Sequence, residues 1–300
     1  MYPCSNPELV AAASEAGAIG IVQPVSMVFV YRHEFRAGLR LIRSLTSKPI
    51  GLNVIVEGTS KVYLERSRQW LDIALEEGVR FFITALGNPD WVVAAAHAKG
   101  GLVYHDVTER KWAERAAKSG VDGFICVNNQ AGGHAGRLSP EQLFADLKDM
   151  GKPLICAGGI GSASEYRWAL AIGYQGVQCG TRFIAATECK AHEDYKQAIL
   201  KAKASDIVLT DKISGVPVSI IKTPYIERTG IRAGFLARFL LRGRKTKHWM
   251  RLYYTLKSVW QLKNSSIKGS SYKDFFQAGK SVETIDSVET VATIVRDFVR

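Results

Sequence analysis

One pattern constrains this chain more than any other. Over its first 180 residues, a short and almost continuously apolar run alternates seven times with an amphipathic stretch. The runs are Ala18–Val22, Pro49–Val56, Arg80–Leu86, Leu102–Val107, Val121–Asn128, Pro153–Ala157 and Gly176–Gly180. Strict polar–apolar alternation is missing from them, so neither face meets water; such strands belong to parallel sheets covered on both sides. Helical stretches at this spacing, among them Phe35–Leu45, Lys61–Glu77 and Thr108–Lys118, predict βαβ units.

Seven strands are one short of a closed eight-stranded barrel. The chain opens directly on a helix, with Ser5-Asn6-Pro7-Glu8 at the spacing of a capping box: Ser5 as the cap, Glu8 reaching back. The sequence therefore predicts an α/β fold of (β/α)8 TIM type lacking its first strand. A start placed too late, a naturally short chain and an open sheet are the readings left open. Ser139-Pro140-Glu141-Gln142 repeats the capping logic, with proline at the first helical position.

Three glycine-bearing stretches each follow a predicted strand: Gln130-Ala131-Gly132-Gly133-His134-Ala135-Gly136, Cys156-Ala157-Gly158-Gly159-Ile160-Gly161 and Gln178-Cys179-Gly180-Thr181-Arg182-Phe183. In a parallel barrel all three fall on the C-terminal face, where active sites form. Glycine lets backbone N–H groups approach an anion, and a helix starting near Ser162 aims its N-terminus the same way. Tight turns alone are the plainer alternative. A histidine at a strand's end titrates near neutrality, at about 6.5, which suits proton transfer. The strand end Tyr104-His105-Asp106-Val107 is expected to face His105 and Asp106 to the pocket mouth; a merely hydrogen-bonded strand end is the alternative.

Ala131-Gly132-Gly133-His134-Ala135-Gly136 resembles the signature loop of the nitronate monooxygenase family. Cys156–Ile160 and Gly176–Phe183 are similar to its two phosphate loops, and Ser5–Gly17 and Lys48–Asn53 to its first helix and third strand. The likeness runs in order over roughly residues 1–190. It implies an FMN cofactor and an oxidoreductase acting on nitronates or nitroalkanes with O2. His134 would be the catalytic base. Gly158, Gly159, Gly180 and Thr181 would hold the phosphate, with Asn53, Gln130, Gly132 and Gly133 also at the cofactor. Flavin-dependent enoyl-thioester (enoyl-ACP) reductases using NAD(P)H share the barrel and the loop, and stand as the alternative.

Charge separates the end of the chain from the rest. Arg228–Lys273 holds twelve Lys and Arg and no acid, against totals of 40 basic and 28 acidic residues, so the remainder is balanced. The sequence divides into a barrel over 1–227, with a small insert near 191–223, and a basic helical extension over 228–300. That balance argues against a nucleic-acid partner. The segment 228–273 mixes cations with large apolar residues and reads as a lid packed on the barrel or as a weak membrane-surface contact. An inactive flavin-barrel remnant held at a membrane surface is the third reading. Five scattered cysteines with no C-x-x-C pair fit a reducing compartment and no metal site. With no secretory signal at the N-terminus, a cytoplasmic location is expected.

Overall fold

The computed structural model describes residues 1–56, 61–210, 217–231, 266–267 and 275–300. Seven parallel strands form one curled sheet in sequence order: β1 (Gly20–Val22), β2 (Ile50–Ile55), β3 (Phe81–Ala85), β4 (Leu102–Val107), β5 (Gly123–Val127), β6 (Leu154–Ala157) and β7 (Gly176–Gln178). Helices α1 (Pro7–Glu15), α2 (Phe35–Leu45), α3 (Lys61–Glu76), α4 (Asp90–His97), α5 (Arg110–Lys118), α6 (Pro140–Leu147) and α7 (Ala163–Ile172) alternate with the strands. This is the predicted α/β TIM-type architecture, with β1 and β7 as the edges of the described sheet.

Two apolar layers explain the continuous runs. Phe82, Val103, Phe124, Cys126, Leu154 and Cys156 face outward into the core shared with the helices. Ile83, Ile125 and Ala157 face inward, with Ile21, Phe81, Tyr104, Val127 and Ile155 packed around them. Since successive strand residues alternate faces and both faces are covered, most strand residues are apolar for one reason or the other.

The predicted cap at Ser5 is corrected. Asn6 is the residue before the first helical turn, and its side chain makes no cap. Ser5 Oγ instead donates to Ile21 O at 2.9 Å. Asn6 is fully buried and stitches across the space between the two sheet edges. Its Nδ2 donates to Glu188 O at 2.9 Å, and its Oδ1 accepts from Lys190 N at 3.1 Å. The capping box at Ser139 is present, with Gln142 as its partner.

Beyond β7 come α8 (Thr181–Ile184), α9 (Glu193–Lys201) and an antiparallel hairpin of β8 (Ile207–Thr210) and β9 (Val218–Ile221). The insert expected near 191–223 thus holds a helix and a hairpin, with 211–216 outside the described residues. A short helix α10 (Pro224–Thr229) follows. Most of the basic segment 228–273 lies outside the described residues. Residues 275–300 return to the barrel, and α11 (Val291–Val299) packs on α1 and α7. The basic extension was expected to be helical over 228–300. Instead a 3-10 turn spans Lys280–Thr284, and α11 starts only where the Thr290 side chain accepts from Thr293 N. Among the described residues no helix is long and apolar enough to cross a membrane.

Candidate active site

The site forms where the chain leaves β5, β6 and β7. Gly158 and Gly159 directly follow β6 with φ of 118° and 85°, a region that glycine enters without penalty. A Cβ on Gly158 would lie 2.5 Å from both Ala131 N and Asn128 Oδ1, so the loop after β5 is pressed against this corner. A Cβ on Gly159 would run into the Gln130 side chain. The corner can therefore only be glycine, for steric as well as conformational reasons.

Its amides are the chemically informative part. Gly159 and Ile160 are buried. Among the described residues, the N–H groups of Gly159 and Ile160 find no acceptor, nor does that of Gly180 beyond β7. A buried donor left unpaired costs about 1–3 kcal/mol. Next to them, Gly161 N and Ser162 N are already taken by the Glu165 carboxylate, at 2.7 and 3.1 Å. That carboxylate completes the capping box of α7, so the helix N-terminus itself is spoken for. The open donors are those of the two glycine corners. A cluster of backbone donors without acceptors is an anion nest, the kind of concavity that holds a phosphate.

The loop 130–136 is clamped from above. Lys280 N donates to Gln130 O at 2.8 Å. A Cβ on Gly132 would meet Gly279 N and Ala278, at 2.8 and 2.9 Å from their nearest atoms. Gly133 bridges Ser219 of β9, with Ser219 N donating to Gly133 O at 2.7 Å. His134 follows this bridge directly and is solvent-exposed. Thr181, at the start of α8, accepts from Gly279 N through Oγ1 at 3.0 Å, so one strap (residues 278–280) holds both loops. The structure thus brings Gln130, Gly132, Gly133, Gly158, Gly159 and Thr181 together. Gly180 stands at the same rim, and its Cβ position meets only the Met1 side chain, at 3.6 Å.

Strand register decides which side chains look into the barrel. Asn53 pairs with Ile83, Asp106 with Ile125, and Gln178 with Ala157; all three partners belong to the inner layer. Asn53, Asp106 and Gln178 therefore face inward. His105 does not, which corrects the expectation for the pocket mouth. It pairs with Phe124 on the helix side, where its Nδ1 lies 2.8 Å from Thr84 Oγ1 and burial pushes its pKa down to about 4. Alternation allows only one of two successive residues to reach the pocket. Asp106 was singled out in the sequence with a structural alternative, but its burial was not legible there. Desolvation raises its carboxyl pKa to about 7, the Met1 ammonium opposing this weakly. The strap 278–280 was missed altogether.

The nitronate monooxygenase family model matches residues 1–300. The chain belongs to the nitronate monooxygenase family. Among curated relatives, a 5-hydroxy-7a-methyl-1-oxo-octahydro-1H-indene-4-carboxyl-CoA dehydrogenase of Rhodococcus jostii is 23% identical, over 98% of this chain and 88% of its own length. A nitronate monooxygenase of Paraburkholderia phytofirmans is 28% identical, over 72% of this chain and 70% of its own. Among solved structures, FabK from Thermotoga maritima superposes with a TM-score of 0.81 and 26% identity, covering 100% of this chain and 89% of FabK. Family membership places the chain among oxidoreductases.

Proposed function

We propose that this chain is an FMN-dependent oxidoreductase that oxidises nitronates and nitroalkanes with O2, using His134 as the base. The observation that carries the reading is the set of acceptor-less amides at Gly159, Ile160 and Gly180, next to the loop that bears His134. Those donors fit a phosphate monoester. Gly158, Gly159, Gly180 and Thr181 would hold it, with Gln130, Gly132 and Gly133 closing over it and Asn53 meeting the ring from inside the barrel. Bound FMN would take electrons from the substrate and pass them on.

The protein supplies position and proton handling. The clamp of Lys280 on Gln130 and of Ser219 on Gly133 fixes the backbone on which the imidazole stands. From there His134 takes the proton on the carbon next to the nitro group, or holds it near a nitronate oxygen. The test is an absorbance spectrum of freshly purified protein, followed by O2 uptake with propionate 3-nitronate. A flavin spectrum and nitronate-dependent uptake are expected. Flavin-loaded protein that leaves O2 untouched would reject the reaction while keeping the cofactor.

A second reading has its own support. The relative aligned over nearly the whole chain is named for a carboxyl-CoA substrate, whereas the nitronate monooxygenase cited above aligns over 72%. This favours a thioester substrate, in the manner of an enoyl-thioester reductase using NAD(P)H. Fast reduction of bound flavin by NADH or NADPH, with no response to nitronates, would select it.

A further inference from the structure

Two polar side chains on the inner wall of the barrel have an oxygen shut off from water and without a partner: Asp106 Oδ1 and Gln178 Oε1. Neither residue is as fully enclosed as the apolar core, so each keeps some exposed surface while its oxygen stays dry. A dry, unpaired oxygen is costly, and natural sites keep such groups where a ligand completes them. Asp106 is the penultimate residue of β4 and pairs with Ile125, so its surroundings on the wall are apolar. Gln178 ends β7, two residues before Gly180.

Position selects the ligand. The phosphate corner sits at the ends of β6 and β7. β4 is two strands from β6, or about 10 Å at a spacing of about 4.8 Å per strand. A mononucleotide anchored by its phosphate and lying across the mouth brings its ring, not its phosphate, to that wall. We propose that the Asp106 carboxyl is a hydrogen-bond donor to the ring of the bound flavin, with the Gln178 side chain as the second group on the same wall. This rests on the cofactor reading given above.

A flavin ring edge carries carbonyl oxygens and a ring N–H. A neutral carboxyl can donate to the first and accept from the second; a carboxylate can only accept, and it sets a negative charge against an electron-rich ring. Burial favours the neutral form, and the raised pKa of about 7 keeps much of the carboxyl protonated near neutrality. The charged or titratable groups facing Asp106 are few. The Met1 ammonium opposes the shift. Tyr104, inward on the same strand, has its own phenol raised by burial. Cys126 senses Asp106, but its thiol is pushed far up and lies on the helix side. His105 points away.

The experiment is FMN binding to the full-length apoprotein, followed by quenching of flavin fluorescence from about pH 5.5 to about pH 8.5 in wild type, Asp106→Asn and Asp106→Ala. The FMN phosphate itself titrates near pH 6, but identically in all three, so only differences between proteins count. Wild type and Asp106→Asn should bind alike at the acid end. Wild type should then fall behind by about tenfold at the alkaline end, where Asn still donates and the carboxylate does not. Asp106→Ala should be weaker than Asn throughout. Should Ala fail to fold, the near-isosteric Asn still decides the question. Identical pH curves for wild type and Asn, or an Ala variant as tight as wild type, would overturn the proposal and leave the cofactor reading standing. A wild-type chain that binds no FMN at any pH would remove both.

Discussion

The Gln130 side chain occupies the place where a side chain on Gly159 would begin, so the loop bearing His134 and the corner after β6 are built as one surface. Neither can move without the other. The proposed phosphate nest and the proposed base therefore share a single rigid support.

Replacing Gly159 by alanine tests that coupling. The methyl must displace Gln130, and φ of 85° adds about 1–2 kcal/mol of backbone strain. Gly100→Ala is the control: its φ is 69°, but a Cβ there meets nothing within 4 Å. Both variants should lose stability in urea titrations, Gly159→Ala the more because of the clash, and only Gly159→Ala should lose FMN affinity, by about tenfold or more. Equal flavin affinity in the two proteins would show that the corner does not hold the cofactor.

His134→Ala should separate binding from chemistry. The backbone bonds that fasten the loop, at Gln130 and Gly133, are untouched by this substitution, so flavin affinity should stay within about twofold of wild type. Turnover of a nitroalkane should fall by about 10²–10⁴, the usual contribution of a positioned base. Stopped-flow reduction of the flavin reports this directly. An unchanged rate would take His134 out of the mechanism.

Much of this was legible in the sequence, for identifiable reasons. Leu102–Val107 and Phe35–Leu45 were placed to the residue because burial on both strand faces, or along one helix stripe, leaves a local signature. The glycine corners were legible because only glycine tolerates those turns. Long-range pairing has no such local mark. The β9 residue Ser219 bonds Gly133, Ile220 bridges Gln277, and the strap at 278–280 closes on Gln130, each across a large gap in sequence. Nor could a sequence say which of His105 and Asp106 faces inward, since one residue of register reverses both.

That register carries a pH consequence. His105 titrates near 6.5 when unfolded, but burial beside Thr84 holds it neutral down to about pH 4. Between those values the unfolded chain binds the extra proton, so this residue's contribution to stability is lost as pH falls from about 6.5 to about 4. Asp106 works in the opposite sense: its pKa is raised from 3.8 to about 7, so its contribution is present at low pH and lost as pH rises through that window. His105→Asn, which can still bond Thr84, should therefore gain stability relative to wild type on acidification. Urea midpoints at about pH 7.5 and about pH 5 measure it. Parallel shifts in the two proteins would mean that His105 is not held neutral.

The last prediction concerns what keeps the second phosphate loop in place. Arg182 lies in α8, directly after Thr181, and its side chain is 4% exposed. Its Nη1 donates to Ser287 O at 2.8 Å and its Nη2 to Glu289 Oε2 at 2.6 Å, tying the loop after β7 to the segment leading into α11. Lysine cannot make both bonds from one nitrogen in the same geometry. Arg182→Lys should cost about 1–2 kcal/mol, and Arg182→Met about 2–4 kcal/mol, because the Met variant strands Glu289 and a carbonyl. Glu289 still reaches water, which holds the loss below that of a fully enclosed pair. Since Glu289 O also accepts from Thr187 N, the loosening should spread along the loop to Gly180. The check is FMN affinity measured alongside thermal unfolding: affinity should fall in the same order, wild type above Lys above Met. A Met variant that unfolds earlier yet binds FMN like wild type would confine Arg182 to stability alone.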